Sequence, residues 1–170
     1  LLTLCLHQGH PLTMQVALSK YPVAAVRFMR EHRVGGNLLT FFDWGEFGLW
    51  ELPDCAPSID GRLDTCYSRA IIDAHFAFYN GHPIQAGAMD IDMADVALLP
   101  ARLNGQYTLQ ERKWTLVYRD PLAVIYVRQP SHYPNLLSLR LPVEEGANAV
   151  SGRVPFPDLP SLRVVRTLPR

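Results

Sequence analysis

The sequence has no surplus of either charge. Its 170 residues carry 16 Lys and Arg against 16 Asp and Glu, so the formal net charge is zero. A nucleic-acid binder needs a basic surplus to displace counterions from phosphates, so nucleic acid is not among the expected partners. Lysine is scarce: 14 of the 16 basic residues are arginine, which reads first as genome composition. Long apolar runs are missing too. The longest is six residues, Leu122 to Val127, whereas a membrane-spanning helix needs about 20. Cysteine is limited to Cys5, Cys55 and Cys66, with no Cys-x-x-Cys pair, which removes zinc-ribbon and thioredoxin-like readings. There is no Gly-x-Gly-x-x-Gly, no phosphate-binding loop and no Gly-x-Ser-x-Gly. The chain therefore shows neither a nucleotide cradle nor a nucleophile elbow, and no cofactor is expected.

What is present describes a globular domain. Hydrophobic residues make up 48% and charged residues 19%, which excludes disorder of the whole chain. A chain of this size hides about two-thirds of its unfolded surface. Tyr21-Pro22 opens a helix with Val23, Val26 and Met29 on one face, and Gly35-Gly36 stops it. Leu38 to Phe42 reads as a short buried strand. Asp43 is placed to cap a short helix carrying Phe47 and Trp50, closed by Pro53. A strand over Ala56 to Ile59 ends in Asp60-Gly61-Arg62. Residues 67–80 form the clearest helix, with Ile71, Ile72, His75, Phe76 and Tyr79 on its apolar face. A strand over Asp95 to Leu99, a helix over 101–111, and a hairpin of Trp114 to Arg119 with Leu122 to Arg128 follow. Alternation in that hairpin puts Trp114, Leu116 and Tyr118 on one face.

The expected fold is α/β: a mixed sheet with parallel strands flanked by helices and a C-terminal antiparallel hairpin. Three regions are read: a lead over 1–20, an α/β domain over 21–129 and a Pro-rich extended tail over 130–170. Seven of the fourteen prolines lie in that tail. The lead starts without Met, and Leu1 to Leu6 is almost all apolar. It reads either as the end of a signal or membrane segment or as the start of an ordinary buried element.

Candidate chemistry gathers at the carboxyl ends of the first strands, where open α/β sheets form ligand crevices. Asp43, Glu46, Asp60 and Asp64 could converge there, to share a proton, bind a hard cation or hold sugar hydroxyls. Arg62 could instead neutralise Asp43 or Asp60. Trp44 and Trp50 fit either an aromatic sugar platform or core aromatics. His75 fits a hydrogen-bonded core position better than a catalytic base. His7 and His10 lack a third ligand, so no metal site is read there. Cys55 and Cys66 could pair in an oxidising compartment or remain thiols.

Several stretches together resemble one family. They are Tyr21-Pro22-Val23-Ala24-Ala25-Val26-Arg27-Phe28, Gly36-Asn37-Leu38-Leu39, Phe42-Asp43-Trp44-Gly45-Glu46, Ser58-Ile59-Asp60-Gly61-Arg62, Asp95-Val96-Ala97-Leu98-Leu99-Pro100 and Trp114-Thr115-Leu116-Val117-Tyr118-Arg119-Asp120. In order and spacing they are similar to the extracytoplasmic C-terminal domain of polytopic bacterial glycosyltransferase-like proteins of the GT-C class, the dolichyl-phosphate-mannose mannosyltransferase-like kind. Phe41-Phe42-Asp43-Trp44-Gly45 is more distantly similar to the Trp-Trp-Asp-Tyr-Gly signature of oligosaccharyltransferase catalytic subunits. Phe in place of the first two Trp removes the indole N–H donors.

The resemblance implies a periplasmic domain at the bacterial inner membrane. Such a domain positions an acceptor or caps the active site, and the catalytic acid lies elsewhere in the parent. The implied partners are the parent's transmembrane portion and a glycan or polypeptide acceptor. The implied substrate-binding residues are Asp43, Trp44, Glu46, Asp60 and Arg62, with no catalytic residue in this piece. Two alternatives stand beside it: a free-standing metal-dependent hydrolase using Asp43, Asp60 and Asp64, and a protein-interaction module.

Overall fold

The computed structural model describes residues 14–156. Leu1 to Leu6, Cys5, His7 and His10 lie outside that range, as does the end of the 130–170 segment. Within it the protein is α/β, with a six-stranded mixed sheet flanked by helices and a separate two-stranded sheet. The small sheet pairs β1 (Met14–Ala17) with β8 (Arg153–Phe156), antiparallel. The large one has the order β3-β2-β4-β6-β5-β7, built from β2 (Gly36–Thr40), β3 (Cys55–Pro57), β4 (Val96–Pro100), β5 (Thr115–Arg119), β6 (Ala123–Val127) and β7 (Val143–Glu144). β3, β2 and β4 run parallel, and β6 is antiparallel to both β4 and β5.

The central strands are buried on both faces, so they read as unbroken apolar runs rather than alternating ones. In β4, Val96 and Leu98 face one core while Ala97 and Leu99 face the other. β6 divides in the same way, with Ile125 and Val127 against Val124 and Tyr126. Helices α1 (Val23–His32) and α2 (Gly45–Glu51) cover the first face through Val26, Phe28, Met29 and Phe47. Helices α3 (Arg69–Tyr79) and α4 (Gly105–Glu111) cover the second through Phe78, Tyr79 and Leu109. The result is three layers.

Four local expectations are corrected. α1 ends at Arg33 in the left-handed conformation (φ 54°), with the Val34 N–H donating to the Met29 carbonyl. Gly35-Gly36 does not stop the helix. Gly36, at φ 117°, instead opens β2 where a Cβ would lie 2.7 Å from the Asp95 carboxylate. Asp43 makes no cap hydrogen bond; it sits in the 3-10 turn Phe42–Trp44 that leads into α2. Phe76 is exposed while Ala74 and Phe78 turn inward. Phe78 is drawn in because Gly105 of α4 leaves room for it: a Cβ there would lie 2.9 Å from the Phe78 ring. Finally, a register shift between Leu116 and Tyr118 breaks the alternation of β5. Trp114 then packs with the α3 and α4 face and Tyr118 with the α1 face, as a bulge requires.

Beyond residue 129 the chain packs on the large sheet as far as β7, and its last described strand, β8, pairs with β1. Tyr133 and Leu136 join the first core. The Tyr133 hydroxyl donates to the Gly35 carbonyl at 2.7 Å, and β7 adds parallel to β5.

Candidate functional site

β2 delivers its chain to α2 on one face of the sheet, while the chain from β3 passes to α3 on the other. The two connections diverge at adjacent carboxyl ends, the place where open sheets form a crevice. Thr40, the last residue of β2, ties the neighbouring elements together there. Its N–H donates to Ser58 Oγ at 3.3 Å, its hydroxyl to the Leu98 carbonyl at 3.3 Å, and its carbonyl accepts from the Tyr79 hydroxyl at 2.9 Å.

Close approach of two backbones shapes the rest. Gly45 lies so near the segment after β3 that a Cβ would sit 2.5 Å from Asp60 Cα. Gly61 faces the Glu46 side chain, and a Cβ there would lie 2.5 Å from Glu46 Oε1. The two glycines let the first turn of α2 lie directly on the segment Ile59–Arg62. This lays Glu46 against Gly61 and brings Asp43, two residues before Gly45, into the same region.

Asp60 is the centre of this segment. It is only 1% exposed, and every acceptor direction is engaged. Oδ1 accepts the Arg62 N–H at 3.0 Å and Nε–H at 2.9 Å; Oδ2 accepts Arg62 Nη2–H at 2.6 Å and the Tyr67 hydroxyl at 3.0 Å. The Arg62 side-chain hydrogen bond is the main reason that the Asp60 carboxyl is held down at about 2, against the opposing effect of burial. Burial, with Asp60 beside it, raises the Tyr67 phenol. A bidentate arginine of this kind is fixed in plane and direction. Arg62 itself remains 57% exposed, so its outer edge stays in solvent.

The five residues expected to bind substrate therefore separate. Asp43, Glu46 and Arg62 are exposed at the strand ends, whereas Trp44 and Asp60 are buried. Trp44 is 3% exposed, and its indole N–H donates to the Lys20 carbonyl at 3.0 Å. It serves the core and offers no ring face to a ligand. Asp60 acts through Arg62, because its oxygens are already occupied. Asp64 is exposed, and among the described residues no three His, Cys, Asp or Glu side chains are grouped to hold a metal ion. Trp50 is half exposed at the far end of α2. Cys55 and Cys66 are free thiols, and burial pushes the Cys55 thiol up to about 11.

Sequence reasoning missed Ser58, Tyr67, Phe42 and Phe76 as parts of this region. The i to i+2 contact within Asp60-Gly61-Arg62 is a local turn pattern and can be anticipated. Tyr67 and Ser58 cannot, because their partners are set by how the loop and α3 fold back. His75 is 2% exposed. Its Nδ1–H donates to the Ile71 carbonyl at 3.0 Å, which leaves Nε2 to accept from the Ser58 hydroxyl at 2.9 Å. With Ser58 Oγ also accepting from Thr40, the pair joins strand ends to α3.

Burial lowers the His75 pKa from its ordinary 6.5. The folded state thus binds its proton less readily than the unfolded state, so this contribution is complete above pH 6.5 and is lost as pH falls below it. The expected outcome is a melting temperature that declines as the pH falls below about 6.5. His75→Gln, which cannot titrate, flattens that decline; an unchanged slope in the variant would show that other groups produce it.

A depression at the same end of the sheet is lined by Ala101, Arg119, Asp120, Pro121, Glu144 and Glu145. Its buried carboxylate is committed to the hairpin. Asp120 accepts from the Leu122 and Ala123 N–H groups and from the Tyr118 hydroxyl.

Among the described residues no helix is long and apolar enough to cross a membrane. Comparison of the chain with protein-family models, with curated proteins and with solved structures finds no match in any of the three.

Proposed function

We propose that this chain is the extracytoplasmic domain of a membrane glycosyltransferase-like protein of the GT-C class. In this reading it lies on the periplasmic face of the bacterial inner membrane and holds an acceptor, or caps the active site, at the carboxyl ends of β2 and β3. It is not catalytic alone; the transmembrane portion of the parent supplies transfer from a lipid-linked sugar. The observation that supports the reading is the position of Phe41-Phe42-Asp43-Trp44-Gly45. This stretch is the one similar to the oligosaccharyltransferase signature, and it forms the turn between β2 and α2. It presents an exposed Asp43 in the turn leading into α2, whose first residues lie against the segment that carries Asp60 and Arg62. A water-soluble cap of this kind divides the work sensibly, since the donor's lipid stays in the bilayer while the second substrate arrives from water.

The test uses the full-length parent. Asp43→Asn is expected to lower kcat/KM about ten-fold through KM, and the 170-residue chain by itself is expected to transfer no sugar. A native reading frame that encodes no membrane-spanning segment overturns the proposal.

A further inference from the structure

The reading above leaves open whether the acceptor is a glycan or a polypeptide. Resting on that reading, we infer that the strand-end surface is built for a neutral carbohydrate, stacked on the Phe76 ring and held through its hydroxyls by Asp43, Glu46 and Arg62.

The apolar part is a braced aromatic surface. Phe76 is 39% exposed, on the outer face of α3 that also carries the Arg69–Asp73 ion pair. Its ring centroid is 5.4 Å from that of Phe42 and 5.8 Å from that of Tyr79, the latter edge-on. Phe42 is backed in turn by Phe41 at 4.8 Å. Tyr79 is tied to the Thr40 carbonyl. A ring held on its inner side and open on the outer one is a surface for a flat, weakly apolar face, and the C–H face of a sugar ring is one.

The polar part contains acceptors and donors together. Phe42 runs directly into Asp43 and then Glu46, and neither carboxylate has a hydrogen bond or ion pair among the described residues. Across Gly45 and Gly61 lies Arg62, with its direction fixed by the buried Asp60. Carboxylates only accept hydrogen bonds and guanidinium only donates them, whereas a hydroxyl does both. A row of neighbouring hydroxyls therefore satisfies both kinds of group at once. An anion is repelled by Asp43 and Glu46. A single Ser or Thr side chain brings one hydroxyl with one donor hydrogen, and cannot serve both carboxylates.

The experiment is chemical-shift mapping on the isotopically labelled 170-residue chain. The probes are methyl α-mannopyranoside, methyl β-galactopyranoside and maltotriose, then the neutral peptide acetyl-Gly-Ser-Gly-amide, then inorganic phosphate. At least one sugar is expected to give saturable shifts confined to residues 41–46, 60–62 and 76. Phe76→Ala and Asp43→Asn each weaken that sugar about ten-fold, and Phe76→Tyr, which keeps the ring, retains it. Melting curves of the variants separate lost binding from lost folding. Shifts from the peptide or from phosphate, with none from the sugars, overturn the carbohydrate inference but leave acceptor binding at this face intact. No saturable shift from any probe overturns both. Sugar binding that is indifferent to Phe76→Ala and Asp43→Asn overturns the placement.

Discussion

Gly45→Ala is expected to be the most damaging single-methyl change in the described region. The added Cβ would stand 2.5 Å from both Asp60 Cα and Asp60 Cβ, and closer still to the Ile59 carbonyl oxygen. Two of these three atoms are backbone, so no rotamer change relieves the clash; α2 has to move away from the segment after β3. Overpacking of this kind costs about 3 kcal/mol. For a chain of this length that corresponds to a fall in melting temperature of about 10 °C. Gly61→Ala is the control. Its Cβ would meet the Glu46 side chain, whose exposed carboxylate can swing aside, so its effect on melting is expected to be much smaller. Equal effects from the two substitutions, measured by thermal denaturation, would contradict the backbone contact as the cause. Gly45→Ala is also expected to weaken any ligand at the strand ends, because it separates Asp43 and Glu46 from Arg62.

The second large effect concerns the buried carboxylate. Arg62→Ala leaves Asp60 buried with only the Tyr67 hydroxyl among its side-chain partners. Breaking a pair in this way costs more than the pair itself contributes, because a desolvated charge remains without compensation. Solvent around the half-exposed arginine moderates the loss. A fall in melting temperature on the order of 5 °C is expected at neutral pH.

The sign of its pH dependence follows from the lowered Asp60 value. In the native protein the carboxyl titrates at about 2 against an ordinary 3.8. Its stabilising contribution is therefore present above pH 3.8 and is lost as pH falls towards 2. Arg62→Ala removes that contribution. The gap between native and variant melting temperatures should be widest above about pH 4 and should close as the pH approaches 2. A gap that is constant with pH would mean that Arg62 stabilises through packing of its stem and not through its charge. Asp60→Asn separates the two further: it keeps the shape but no longer fixes the guanidinium by charge, so it is expected to lose ligand affinity more than stability.

The order of elements was legible in the chain because it depends on local signals. Short apolar runs bounded by turn residues marked β2, β3, β4 and the hairpin, each with ends within two residues of those observed. Pro22 marked the start of α1 through its restricted φ. The candidate site was legible only in part. Asp43, Glu46 and Arg62 were drawn to one place by their positions at strand ends, and they are exposed there. Trp44 carried no sign in its neighbours that its ring would turn inward towards Lys20. Phe76 satisfied the helical period as a core residue, yet Phe78 took the inner position because Gly105, 27 residues further on, made space for it.

The sequence by itself determined an α/β chain with parallel strands first, an antiparallel hairpin after them, and charged residues gathered at the strand ends. Periodicity, turn residues and strand order carry that information, and each is a property of neighbours along the chain. Only the tertiary structure decided which carboxylate is buried, which is open, and which aromatic faces solvent. Those outcomes depend on contacts between backbones far apart in sequence. Gly45 against Asp60 and Gly61 against Glu46 place α2 on the segment after β3. That single approach orients Arg62 outward by way of a carboxylate that never reaches the surface.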